Sequence, residues 1–158
     1  MPQCQMLQWL QIAQGLLTPL IAIVTAYIAI QQWNATKLKM RMERYERRLR
    51  IYQATHRFIS EVVTTTRPEI ARIFGFYSET AEADFIFPPQ VRKYLDEVFS
   101  HANQLNLANT LYKPRGESPP EGYDHAEVCE SQRFHTAWFN EQAPLAKDVF
   151  RPFLDLSR

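Results

Sequence analysis

The residues best equipped for chemistry lie close together late in the chain: Asp124, His125, Glu127 and Cys129, with His135 six positions beyond Cys129. Carboxylate, imidazole and thiolate are zinc-holding groups, so a metal site is the first chemistry to weigh. The spacing argues against it. On a helix His125 and Cys129 share a face, Glu127 points away, and His135 is too far along. Asp124 as an N-cap, with Glu127 three residues later, explains the acids as a helix start. No metal ligand set, no cofactor and no catalytic residue is therefore expected, and an enzyme using 124–135 is the least favoured reading. Elsewhere Gly15, Gly75, Gly116 and Gly122 are scattered, and no phosphate loop, dinucleotide fingerprint, HExxH, GxSxG or CxxC occurs. The adjacent acids Asp96 and Glu97 diverge around a helix and form no acid–base pair.

A chain without a reaction must be read for what it anchors or binds. Its 158 residues suffice for one domain and one anchor. A net charge of +1 and a pI near 7.8 argue against a globally basic nucleic-acid binder. Those averages hide a local asymmetry. No Lys or Arg precedes Lys37, and then Lys37, Lys39, Arg41, Arg44, Arg47, Arg48 and Arg50 crowd into residues 34–50 beside only Glu43 and Glu46. Seven positive minus two negative leaves +5 there. Only 4 Gly and 46% hydrophobic residues suit a packed helical protein, not a disordered one.

Directly before the basic stretch, residues 12–30 read IAQGLLTPLIAIVTAYIAI, with no charge. At about 1.5 Å per residue such a helix covers roughly 28 Å, close to the hydrocarbon thickness of a bilayer. Trp9 and Trp33 flank the run and Tyr27 lies near its far end, as interfacial anchors would. Pro19 is expected to kink it. A signal peptide would need a basic start, and residues 1–11 have no basic side chain. A buried core helix of a soluble protein is the rival reading. One transmembrane span over about 12–30 is favoured, dividing the chain into an N-terminal segment with its span (1–33) and a cytoplasmic region (34–158). The basic residues then place the N-terminus outside and the C-terminus in the cytoplasm, and they would attract anionic lipid headgroups. Cys4 and Cys129 fall on opposite sides of the span, so no disulfide is expected.

Beyond Trp33 the apolar rhythm changes. Leu38, Met42, Tyr45, Leu49, Tyr52, His56, Ile59 and Val63 follow in alternating steps of 4 and 3, predicting an amphipathic helix over 34–65. Pro68 ends it. Leu38, Met42, Tyr45, Leu49, Tyr52 and Ile59, with Trp138 from the last helix, are the expected bundle core, and Arg47 and Arg48 are expected on the outer face. Such a seam packs within one chain or against its copy in a homo-oligomer; Tyr45 and Tyr52 are bulky for a tight dimeric coiled coil, which favours the intrachain bundle. Further helices are predicted over 69–80, over 90–112 with Pro89 in the first turn, and over 124–154 with a kink at Pro144. KPRGESPPE at 113–121 reads as a loop. No stretch alternates as a strand would. The fold class is all-α: a single N-terminal transmembrane helix continuing into a long amphipathic helix and a cytoplasmic antiparallel helical bundle.

Three stretches in this order, YIAIQQWNATKLKMRMERYERRLRIYQA, FIFPPQVRKYLDEV and FRPFLDL, stand behind the near-terminal span. They resemble a group of small, uncharacterised bacterial inner-membrane proteins with one N-terminal span and a cytoplasmic helical region. Asn34 and Ala35 depart from the group, many members of which are more basic there. The resemblance implies architecture and an inner-membrane location, and carries over no catalytic or binding residue. The function expected is a membrane-anchored, non-enzymatic interaction or scaffold protein that docks an unidentified cytoplasmic protein. The alternative is a single-span sensor or effector. Its bundle would bind an anionic ligand such as a nucleotide near Arg41–Arg50 and change oligomeric state.

Overall fold

The computed structural model describes residues 3–114 and 122–155, with side chains from Pro19 onward. All regular structure among the described residues is helical: α1 (Gln3–Thr65), α2 (Ile70–Thr80), α3 (Ala83–Ile86), α4 (Pro89–Leu111) and α5 (His125–Phe150), followed by a 3-10 turn, Arg151–Phe153. The chain divides into two compact units, Met1–Glu43 and Arg44–Arg158, and α1 contributes to both. The apolar rhythm changes at Asn34, but among the described side chains of α1 the first that is even half-buried is Tyr45.

In the N-terminal unit Leu20, Ile21, Ile23, Val24, Tyr27, Ile28 and Ile30 are all exposed, and their spacing puts them on one half of α1, with Ala22, Thr25, Ala26 and Ala29 on the other. Trp33 is also exposed, with the Lys37 ammonium 5.1 Å from its ring centre. Thr25 donates its hydroxyl to the Ile21 carbonyl and Thr36 donates to Gln32 at 2.8 Å, so both polar groups are satisfied inside the helix. Trp9 lies outside the described side chains. Among the described residues no helix is long and apolar enough to cross a membrane. The expected span over 12–30 begins with residues 12–18, whose side chains also lie outside the described ones. Pro19 sits within α1 without ending it.

Leu38 and Met42 do not join the bundle core: they are 61% and 52% exposed. A seam's rhythm says which face its residues share, not how far along the helix a partner reaches, and burial starts only at Tyr45.

In the C-terminal unit the buried stripe of α1 is Ile51, Ala54, Thr55, Phe58, Ile59 and Val62. Its centre (51, 55, 58, 62) is the expected seam shifted by one residue, a turn of about 100°. Ile59 is buried, Tyr45, Leu49 and Tyr52 flank the stripe half-buried, and His56 faces out. Phe58 explains the rotation. Its ring stacks on Phe76 of α2 at 4.5 Å and meets Phe139 of α5 edge-on at 6.5 Å. Thr55 tolerates full burial because its hydroxyl donates to the Ile51 carbonyl at 2.8 Å.

The other helices follow their apolar spacing. α4 buries Val91, Tyr94, Leu95, Val98, Ala102, Leu105 and Ala108; it starts at Pro89, as expected, with Pro88 as an extended N-cap. α5 is capped by Asp124, which accepts from the Ala126 and Glu127 amides, and it contains Pro144 without interruption. Pairing gives the directions. Asn109 meets Gln132, His101 meets His135, and Tyr94 meets Phe150, so α4 and α5 are antiparallel. Phe58 with Phe139 and Tyr52 with Phe150 make α5 antiparallel to α1 as well.

Arg48 is not an outer-face charge. It is half-buried, donates Nε to the Ile86 carbonyl and Nη1 to the Phe153 carbonyl, both at 3.2 Å, and lies 5.7 Å from the Phe87 ring centre. Turning the helix by one residue brings 48 inward and leaves Arg47 exposed. The other basic residues of the stretch, Lys37, Lys39, Arg41, Arg44 and Arg50, are exposed.

One buried side-chain polar atom has no hydrogen-bond partner among the described residues, the Tyr94 hydroxyl. Burial, and then Glu97, push its pKa well above the ordinary tyrosine value. Removing an orphaned buried hydroxyl removes a desolvation penalty. Tyr94→Phe should therefore raise the melting midpoint or leave it unchanged, by the equivalent of about 0–1 kcal/mol. A clear drop in a thermal melt would mean that the hydroxyl has a partner.

Candidate functional site

Where α1 ends, three elements meet around a groove. Thr66 adopts a left-handed backbone (φ 53°), rare for a β-branched residue. Its amide closes α1 by donating to the Val62 carbonyl at 2.8 Å. The strained turn is clasped from α4: Asn109 donates Nδ2 to the Thr66 carbonyl at 2.9 Å, and Asn106 donates to Pro68 at 2.8 Å. Asn109 in turn accepts from Gln132 Nε2 of α5 at 2.9 Å. This chain of amides fixes the three elements and forms one side of an open groove of about 700 Å³. Arg67 and Arg133 line it with Tyr112, Cys129, Thr136 and Asn140, and among the described residues no carboxylate does.

Cys129, half-buried at the groove's edge, has its sulfur 3.5 Å from His125 Nε2. His125 Nδ1 is 3.2 Å from the Tyr123 hydroxyl, which accepts from the Lys113 amide at 3.0 Å. The hydroxyl keeps a second lone pair and its proton, so both tautomers complete the chain. With its proton on Nδ1 the imidazole donates to Tyr123 and accepts from the Cys129 thiol, and with its proton on Nε2 it accepts from Tyr123 and donates to the sulfur. Among the described residues no three metal-binding side chains come together. His125 and Cys129 meet, as their spacing indicates, but Glu127 remains at the N-terminal turn and His135 belongs to another cluster.

That second cluster was not legible in the sequence. His135 of α5 and His101 of α4 face each other, Nδ1 to Nδ1, at 2.9 Å, and His101 stacks on Trp138 with ring centres 3.9 Å apart. Trp138 is thus half-buried on an imidazole and does not sit in the apolar centre. Two Nδ1 atoms can share one proton, so the neutral rings must be opposite tautomers, and doubly protonated rings would set two N–H groups against each other. Both pKa values are lowered: His101 by burial first and then by His135, opposed by Glu97, and His135 by burial.

The sign of the pH effect follows. The unfolded histidines take up protons near 6.5 and the folded ones only at lower pH, so the unfolded state holds more protons as pH falls from 6.5 through the folded values. Stability should be highest above about 6.5 and decline below it. The melting midpoint should fall by a few degrees between pH 7.5 and 5.5. In a His101→Gln/His135→Gln double variant the slope over that window should be visibly flatter; equal slopes would show that the pair does not titrate as described.

Comparison with protein-family models, with curated proteins and with solved structures finds no match to this chain.

Proposed function

We propose that the chain is a membrane-anchored, non-enzymatic helical interaction protein whose C-terminal unit docks a cytoplasmic protein partner. The observation that carries this reading is an aromatic patch. Phe74 and Tyr77 of α2, each just over half exposed, pack against Phe99 of α4 at 5.8 and 5.1 Å. Phe85 of α3 is 88% exposed. Large aromatics left at a helix surface, where folding alone gives no reason for them, are the side chains that dominate protein interfaces.

Anchoring is supported by the uncharged run 12–30, by large exposed apolar side chains over one half of α1 from Leu20 to Ile30 with only alanine and threonine on the other, and by the Lys37 ammonium folded toward Trp33. A helix that exposes so broad an apolar face, with no charged side chain opposite it, needs either a protein interior or lipid. The charge asymmetry around the run gives an external N-terminus and a cytoplasmic C-terminus, in keeping with the resemblance to bacterial inner-membrane proteins. Exposed Leu38 and Met42 leave the root of α1 available for a second copy.

The docking reading is testable in intact cells with a photoreactive phenylalanine at position 74 or 85. A discrete cross-linked species should form from both positions and vanish with Tyr77→Ser, while the variant's melting curve stays close to that of the parent. Featureless labelling at both positions would count against a docking face there.

A second reading, a membrane-bound effector that takes an anionic ligand, is favoured by one observation: two arginines line the groove at the end of α1 without a carboxylate among its described walls. It moves the ligand from the expected Arg41–Arg50 stretch to Arg67 and Arg133.

A further inference from the structure

We infer that the groove at the end of α1 is a binding site for a small organic phosphate, with Arg67 and Arg133 holding the phosphate group and Tyr112 the organic part. The inference rests on the effector reading and gives its ligand a chemical class and a place.

Charge is the first argument. Neither Arg67 nor Arg133 forms an ion pair among the described residues, whereas Arg72 bridges Glu61 and Glu79, and Arg92 bridges Asp84 and Asp96. Among the described residues the walls contribute two guanidinium groups and no carboxylate, a charge that attracts an anion. Guanidinium forks match the oxygens of a phosphate with paired, charge-assisted hydrogen bonds. The Thr136 hydroxyl and the Asn140 amide supply neutral donors on the α5 side.

Preorganisation is the second. Arg67 directly follows Thr66, whose left-handed backbone is held by Asn109, itself held by Gln132. A β-branched residue keeps such a conformation only where its surroundings over-determine it, and strain of this kind concentrates at ligand sites. The start of the Arg67 side chain is therefore fixed relative to α4 and α5 before any ligand arrives.

Size and shape are the third. A groove of about 700 Å³ lies within the range of small-molecule sites, and a lone inorganic phosphate would leave most of it empty. Tyr112 and Ala137 offer apolar surface beside the charges, suited to an aromatic or aliphatic ester group.

The experiment is isothermal titration calorimetry of the full-length protein in an uncharged detergent, at fixed ionic strength, with inorganic phosphate, phenyl phosphate and benzyl alcohol as probes. Both phosphates should bind saturably, phenyl phosphate more tightly, and benzyl alcohol should give no saturable heat. Arg67→Gln and Arg133→Gln should each weaken phenyl phosphate by roughly tenfold, the loss of one charge-assisted pair of hydrogen bonds. Arg67→Lys and Arg133→Lys, which keep the charge and lose the fork, should fall between; Arg47→Gln, away from the groove, should change nothing. No saturable binding of either phosphate overturns the inference. So does a loss at Arg47→Gln equal to that at Arg67→Gln, which would mark diffuse charge attraction. The mass of the detergent complex with and without phenyl phosphate reports separately on the effector reading: binding at unchanged mass upholds the site and removes that reading.

Discussion

Phe58→Ala is expected to lower the melting midpoint of the full-length protein more than any other single truncation in α1. The ring is fully buried, stacks on Phe76 and meets Phe139, so its loss removes contacts to two other helices at once. A buried Phe→Ala change typically costs about 3–5 kcal/mol, transfer energy plus the cavity left behind. Small domains hold roughly 5–15 kcal/mol in all, so the variant should melt at least about 10 °C lower or fail to fold cooperatively. Leu38→Ala is the informative contrast. Leu38 keeps the seam's rhythm but is 61% exposed, and its truncation should cost no more than about 0.5 kcal/mol. Comparable losses from the two, read by circular dichroism in the same detergent, would mean that the root of α1 is packed and that the rotated stripe is wrong.

The next largest effect belongs to Arg48. One guanidinium ties α1 to the end of α3 and to the closing 3-10 turn, through two backbone carbonyls far away in sequence. Hydrogen bonds to charged groups contribute about 1.5–3 kcal/mol, and truncation would also strand two carbonyl acceptors. Arg48→Ala should therefore cost about 1.5–3 kcal/mol, while Arg47→Ala, one position along and exposed, should stay within about 0.5 kcal/mol. Arg48→Lys should recover little, because an ammonium cannot reproduce the two-pronged geometry. If Arg47→Ala and Arg48→Ala were equivalent, the clasp would have no energetic role and Arg48 would be one more exposed basic side chain of the 34–50 stretch.

The fold was legible where a local rule was sufficient. Pro89 in a first turn, Asp124 with its two capped amides, and the helix end near Thr65 follow from capping and proline chemistry. The all-helical class followed from the absence of any alternating stretch. Rotation was not legible. The seam through Tyr52, His56 and Ile59 and the one through Ile51, Thr55 and Phe58 have the same rhythm, and choosing between them requires knowing where Phe76 and Phe139 lie. Arg48 was misplaced for the same reason, since one residue of rotation exchanges it with Arg47. Both candidate sites depend on pairs far apart in sequence: His101 with His135, and Thr66 with Asn109 and Gln132. No spacing rule reaches across 34 or 43 residues. The lone hints were the two histidines, each at a helical position too polar to be explained by packing alone.

The central claim, that residues 12–30 anchor this helical unit in a membrane, is tested most directly by extracting membranes from expressing cells with alkaline carbonate. The full-length chain should remain in the pellet with integral proteins, and a variant with Ile21 and Val24 both changed to Lys should move to the supernatant, because each charge at mid-span costs about 2.5–3.5 kcal/mol on insertion scales. Release of the unaltered chain into the carbonate supernatant would contradict the anchor.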